Sequence, residues 1–239
     1  SPASDAASRG KHLMRAAERI EDIVSHAKEK KVRVTLEAED YRWTDFHLDT
    51  YFQLVNAGYH NLGTVLQARL FRTEKDILRF DERTRVRMVI GIYNEAEQIA
   101  HTQKPIMKEL AVKYSAELLK RGAYVELASH DTDCIRNFFV KAVIPNEAPR
   151  HQFETQFLLG VPRRELQQDL LSGRYAEALA GEVSSCHHRY LSELASQGTL
   201  VRMYLPYGSE DVAAPYCKRR LKANPNMISY GIKNLFHIK

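Results

Sequence analysis

Short β-branched runs alternate with longer amphipathic stretches along this chain, the pattern of parallel strands joined by crossover helices. Strands are predicted over residues 32–36, 63–67, 86–92, 124–128, 153–159 and 200–205. Helices are predicted over 44–56, 106–121, 163–171 and 175–197, where apolar residues recur at helical spacing. A further helix over 11–30 carries Leu13, Ala16, Ala17, Ile20, Ile23, Val24 and Ala27 as one apolar stripe. Residues 1–10 are small and polar and read as a linker or loop. Pro206-Tyr207-Gly208 makes a turn after the last strand, and a helix follows over 212–222. The fold class is α/β. Six strands do not close a (βα)8 barrel, which needs eight, and an open parallel sheet of six needs helices on both faces. Periodicity alone leaves both architectures standing.

Composition narrows the function classes. The 239 residues, 44% of them hydrophobic, suffice for one α/β core, so a single domain over 11–239 is expected. The formal charge is +5, but 35 basic residues are interleaved with 30 acidic ones without a dense run, so no nucleic-acid partner is expected. Cys134, Cys186 and Cys217 are widely spaced and odd in number, as reduced thiols in a cytoplasmic compartment would be. Cys186-His187-His188 looks like a metal cluster, yet adjacent helical side chains diverge by about 100° and no second ligand set has the usual spacing. No metal is expected. No apolar stretch approaches the roughly 18 residues of a membrane span, and the start lacks a signal-peptide pattern. A soluble, cytoplasmic protein follows as the expectation.

The chemistry-bearing residues cluster at the C-terminal ends of the predicted strands, where parallel α/β folds bind ligands. In order these are Glu37-Ala38-Glu39-Asp40, Gln67, Arg87 with Tyr93, Ser129-His130-Asp131, Glu154 with Gln156 and Leu158, and Tyr204-Leu205-Pro206-Tyr207-Gly208. Farther on, Tyr216, Arg219 and Arg220 stand at i, i+3 and i+4, with Pro215 suited to open their helix. A guanidinium pair beside a ring suits bidentate capture of a carboxylate. Lys218 and Lys222 support the other reading of that face, a basic helix end in solvent.

The strings V-T-L-E-A-E-D, G-T-V-L-Q, R-M-V-I-G-I-Y, A-S-H-D, F-E-T-Q-F-L-L-G, V-R-M-Y-L-P-Y-G and Y-C-K-R-R-L carry a resemblance. In their order and spacing, from about Val32 to Leu221, the chain resembles the flavin-dependent proline dehydrogenase family. The resemblance implies a (βα)8 TIM-type barrel, with six strands and the C-terminal helix visible here and the first two strands lacking. It implies FAD as cofactor and oxidation of L-proline to Δ1-pyrroline-5-carboxylate by hydride transfer to flavin N5, with the electrons passing to a quinone or another acceptor. Peripheral association with the inner membrane, and an oligomer, are compatible with that chemistry.

Residue by residue, the resemblance gives Glu37 and Arg87 catalytic positions, Arg87 near flavin N5. Gln67, Arg87, Lys104, Ser129, His130 and Gln156 would meet the cofactor. Tyr93, Leu158, Tyr204, Tyr216, Arg219 and Arg220 would hold the substrate, the two arginines on its carboxylate. The chain also departs from the family pattern. Ile90 stands where the family has Lys, Ile92 where it has Ala, Glu37 where it usually has Asp, and Ala223 where it has a Glu that braces the arginines. These departures sustain a second expectation, a degenerate barrel that binds flavin or an amino acid without turnover.

Overall fold

The computed structural model describes residues 6–38, 40–91, 95–205, 207–211, 213–215 and 218. Six strands form one parallel sheet: β1 (Val34–Leu36), β2 (Leu62–Gln67), β3 (Arg85–Val89), β4 (Tyr124–Ala128), β5 (Phe153–Leu158) and β6 (Val201–Tyr204). Their spatial order is their sequence order. A doubly wound sheet reverses direction once; this one does not, so its crossovers step one way and leave the other face of the sheet to a lumen. The sheet also curls. The guanidinium of Arg33, just before β1, lies 5.9 Å from the ring centre of Tyr124 on β4, and that of Arg87 on β3 lies 5.2 Å from the ring of Tyr204 on β6. Strands three apart would be separated by about 14 Å in a flat sheet. The architecture is a half-barrel of the TIM type.

The two faces of the sheet differ in chemistry. One presents Leu62, Leu66, Val86, Met88, Val125, Leu127, Phe153 and Phe157, all buried in the main hydrophobic core. The helices α1 (Ala6–Glu29), α2 (Thr44–Asn56), α3 (Thr73–Asp76), α4 (Lys104–Lys120), α5 (Thr132–Phe138), α6 (Arg164–Ser172), α7 (Arg174–Ala178) and α8 (His188–Gln197) connect or flank these strands. Leu48, Tyr51, Leu118, Leu119, Ile135, Leu170 and Leu191 bring the helical side of that core to the sheet. Phe138 and Phe139 meet the outward ring of Phe153 edge-on, at 6.1 and 5.8 Å. The residues between, displaced by one position, point into the lumen.

Several boundaries move from their predicted places for local reasons. The third strand ends at Val89 because Gly91 takes φ +89°, outside extended geometry. The helix predicted over 175–197 is broken into α7, two 3-10 turns at Ala180–Glu182 and Ser185–His187, and α8. Gly181, β-branched Val183 and the Ser184-Ser185 pair weaken any continuous helix there. Gly173 at φ +84° separates α6 from α7, and a Cβ there would lie 1.8 Å from the Ala195 carbonyl oxygen. Helix α5, continued by a π-helical segment Phe139–Val143, was not among the predicted elements. The first helix starts at Ala6, and Ile23 of its predicted stripe faces solvent while Val24 is buried.

Candidate functional site

Alternation along the strands sets the lumen lining. Register places Arg87 beside Glu126, Glu126 beside Glu154, and Gln156 beside Arg202 on successive strands. Parallel barrels ordinarily fill this space with Val, Ile and Leu. Here it holds an ionic network. The Arg85 guanidinium donates to Glu126, and Gln156 Nε2 donates to Glu126 at 2.5 Å and to Glu154 at 2.6 Å. Glu154 also accepts from Arg202 Nε at 2.5 Å and Nη2 at 2.8 Å, one bidentate edge of the guanidinium, and from the Tyr124 hydroxyl at 2.7 Å. Burial pushes the Glu154 carboxyl up, but the hydrogen bonds from Arg202, Gln156 and Tyr124 outweigh it and hold the group below the usual carboxylate range.

Above this layer, at the C-terminal rim, the Arg87 guanidinium donates to Glu37 through Nη1 and lies over the Tyr204 ring. Its Nε is buried without a hydrogen-bond partner among the described residues. Gln67, at the end of β2, is buried. Among the described residues its Nε2 makes only a long 3.5 Å contact with the Ala38 carbonyl, and its Oε1 accepts from none. Leu158 registers with Tyr204, and its backbone N–H donates to His130 Nε2 at 3.4 Å. The structure therefore brings Glu37, Arg87, Tyr204, Leu158 and His130 into one chain of neighbours, with Gln67 on the adjoining strand.

The other predicted residues are placed differently. Gln156 lies in the charged layer, its amide donating to two carboxylates. The Ser129 hydroxyl accepts from the Asp131 N–H at 3.2 Å, and Asp131 caps α5 by accepting from the Cys134 N–H at 2.8 Å. Lys104 is exposed at the first position of α4. Tyr93, Tyr216, Arg219 and Arg220 lie outside the described residues, as do Ile92 and Ala223. The described residues of the last segment are helical from Glu210, so its helix begins ahead of Pro215. Ile90 packs against the hydrophobic core.

Sequence reading missed Arg85, Glu126 and Arg202. The signal was present: charged residues at every second position of strands that should be apolar on both faces.

A singly wound parallel half-barrel with polar groups gathered at the C-terminal ends of its strands defines a domain of the α/β-barrel class. The family profile "Proline dehydrogenase" matches residues 3–230. The chain belongs to the proline dehydrogenase family. It is 30% identical over 217 residues to proline dehydrogenase 1 of Bacillus subtilis, covering 89% of this chain and 61% of that protein. It is 30% identical over 218 residues to the proline dehydrogenase of Deinococcus radiodurans, covering 89% of this chain and 60% of that one. The chain thus spans about three fifths of the length of these relatives. The crystal structure of proline utilization A (PutA) from Bdellovibrio bacteriovorus inactivated by N-propargylglycine superposes with a TM-score of 0.67, at 20% identity, covering 91% of this chain and 22% of that one. That likeness supports the barrel fold. No helix among the described residues is long and apolar enough to cross a membrane.

Proposed function

We propose that this chain is the barrel region of an FAD-dependent proline dehydrogenase, oxidising L-proline to Δ1-pyrroline-5-carboxylate and passing the electrons to a quinone or similar acceptor. The observation that carries the reading is the family match along nearly the whole chain, joined to the rim where Arg87, Gln67, Glu37 and Tyr204 converge. The rim fits a planar heterocycle. Gln67 Oε1 and Arg87 Nε are buried polar atoms without partners among the described residues, an acceptor and a donor that a ring with both kinds of edge would satisfy. A Cβ at Gly91 would approach Gln67 Oε1 to 2.6 Å, so the glycine keeps the backbone clear of that amide.

Bound flavin would supply the two-electron acceptor for the substrate's C–H bond. The chain's own part is orientation and charge. Arg87, fixed between Glu37 and the Tyr204 ring, supplies a permanent cation where negative charge develops. Leu158 and Tyr204 offer adjoining apolar surface for a small ring, and Arg219 and Arg220 would take its carboxylate.

A visible spectrum of the full-length protein, with and without proline in the absence of oxygen, tests the reading. Flavin absorbance that bleaches on adding proline is expected. A protein that stays colourless after FAD is added refutes it, and flavin that proline does not bleach selects binding without turnover.

A further inference from the structure

Arg69, in the turn after β2, is only 6% exposed. Its Nε and Nη1 are buried and make no hydrogen bond to any described residue, and no described carboxylate lies in ion-pair contact with it. Burial pushes its pKa down and the more distant charge of Glu95 pushes it up, but a guanidinium stays charged in any protein. Taking a cation out of water without a partner costs several kcal/mol. Among the described residues only the charge of Glu95 offsets that cost, so a bound group with acceptor atoms would add to that offset.

The neighbours indicate which ligand. A Cβ built on Gly91 would lie 2.6 Å from Gln67 Oε1 and 2.7 Å from Arg69 Cδ, so the orphaned amide and the orphaned guanidinium meet at one glycine. Ile90, beside it, carries no charge and faces the core. Arg87, across the rim, already has Glu37 and Tyr204.

We propose that Arg69 is a positioning and electrostatic residue for the ring that Gln67 contacts: it faces the electron-rich pyrimidine edge of bound flavin and stabilises the two-electron-reduced anion. The inference rests on the flavin reading above and goes beyond it by assigning the charge to the turn after β2.

The test uses the full-length protein with Arg69→Met and Arg69→Lys, each loaded with FAD and titrated against a reference dye. Arg69→Met should lose about tenfold of its preference for reduced over oxidised flavin, a fall of about 30 mV for a two-electron couple. Arg69→Lys should keep most of that preference. Without FAD, Arg69→Met should melt at or above wild type and gain less from added FAD, because an uncompensated buried charge has been removed. An unchanged midpoint in Arg69→Met overturns the inference. So does an Arg69→Met apoprotein less stable than wild type, which makes the residue structural. Wild-type protein that takes up no FAD fells the flavin reading itself, and this inference with it.

Discussion

Arg85→Met removes the cation from the most deeply buried ion pair of the lumen. Glu126 is 1% exposed, and its described partners are the Arg85 guanidinium and one N–H of Gln156. With Arg85 gone, a full negative charge would stay buried on a single neutral donor. Removing one partner of such a pair costs about 3–5 kcal/mol. Against a total stability of about 5–15 kcal/mol, that is a large share. For a domain of this size it corresponds to a fall in melting temperature of roughly 6–20 °C.

Arg202→Met is the internal control. The Arg202 side chain is 47% exposed, and Glu154 would keep Tyr124 and Gln156 as donors, so the cost should be about 1–2 kcal/mol. Urea unfolding of the full-length protein, with the double variant Arg85→Met/Glu126→Gln alongside, measures all three. The double variant should recover at least half of the single loss, because no buried charge is stranded. A loss below about 1 kcal/mol for Arg85→Met, or a double variant no better than the single, refutes the view that this pair is buried and mutually dependent.

Gly173→Ala should cost more than about 4 kcal/mol, visible as loss of a cooperative thermal transition, since its new methyl group would meet the Ala195 carbonyl at 1.8 Å in a left-handed conformation. Gly91→Ala should cost about 1–2 kcal/mol in stability, because the flexible ends of Gln67 and Arg69 can yield, but should weaken FAD binding about tenfold or more by fluorescence titration. Glu154, held below the carboxylate range when folded, contributes stability that is present above its unfolded pKa near 4.3 and lost as pH falls through its folded value. Glu154→Gln should therefore flatten the acid limb of the stability profile below about pH 4; an unchanged limb counts against the lumen network.

Strand existence was legible because both kinds of parallel-strand residue leave a period-2 trace: apolar Val86 and Met88 toward the helices, charged Arg85 and Arg87 toward the lumen. Strand ends were not, because φ at Gly91 is a tertiary outcome of fitting the chain past Gln67 and Arg69. The long helix predicted over 175–197 failed for the opposite reason. Its apolar spacing persists, and Tyr190, Leu191 and Leu194 reach the core from α8, but the chain breaks ahead of it over residues 180–187. Strand-end position foretold that Glu37, Gln67, Leu158 and Tyr204 share one rim, which Arg87 reaches from the middle of β3 through its side chain. It gave no account of depth. Gln156 lies mid-strand, in register with Ala128 and Arg202, and its amide is turned onto Glu126 and Glu154.

Depth also explains how the rim is held. Gln156 and Arg202 pull on the Glu154 carboxylate from one side of the lumen while Arg85 pulls on Glu126 from the other. Arg87 sits directly over this layer on the strand it shares with Arg85, two residues on. An apolar barrel floor would pack as tightly and cost less to bury, but would not fix a guanidinium's direction. With Glu126 already engaged by Arg85 and Gln156, the neighbours that Arg87 contacts among the described residues are Glu37 and the Tyr204 ring.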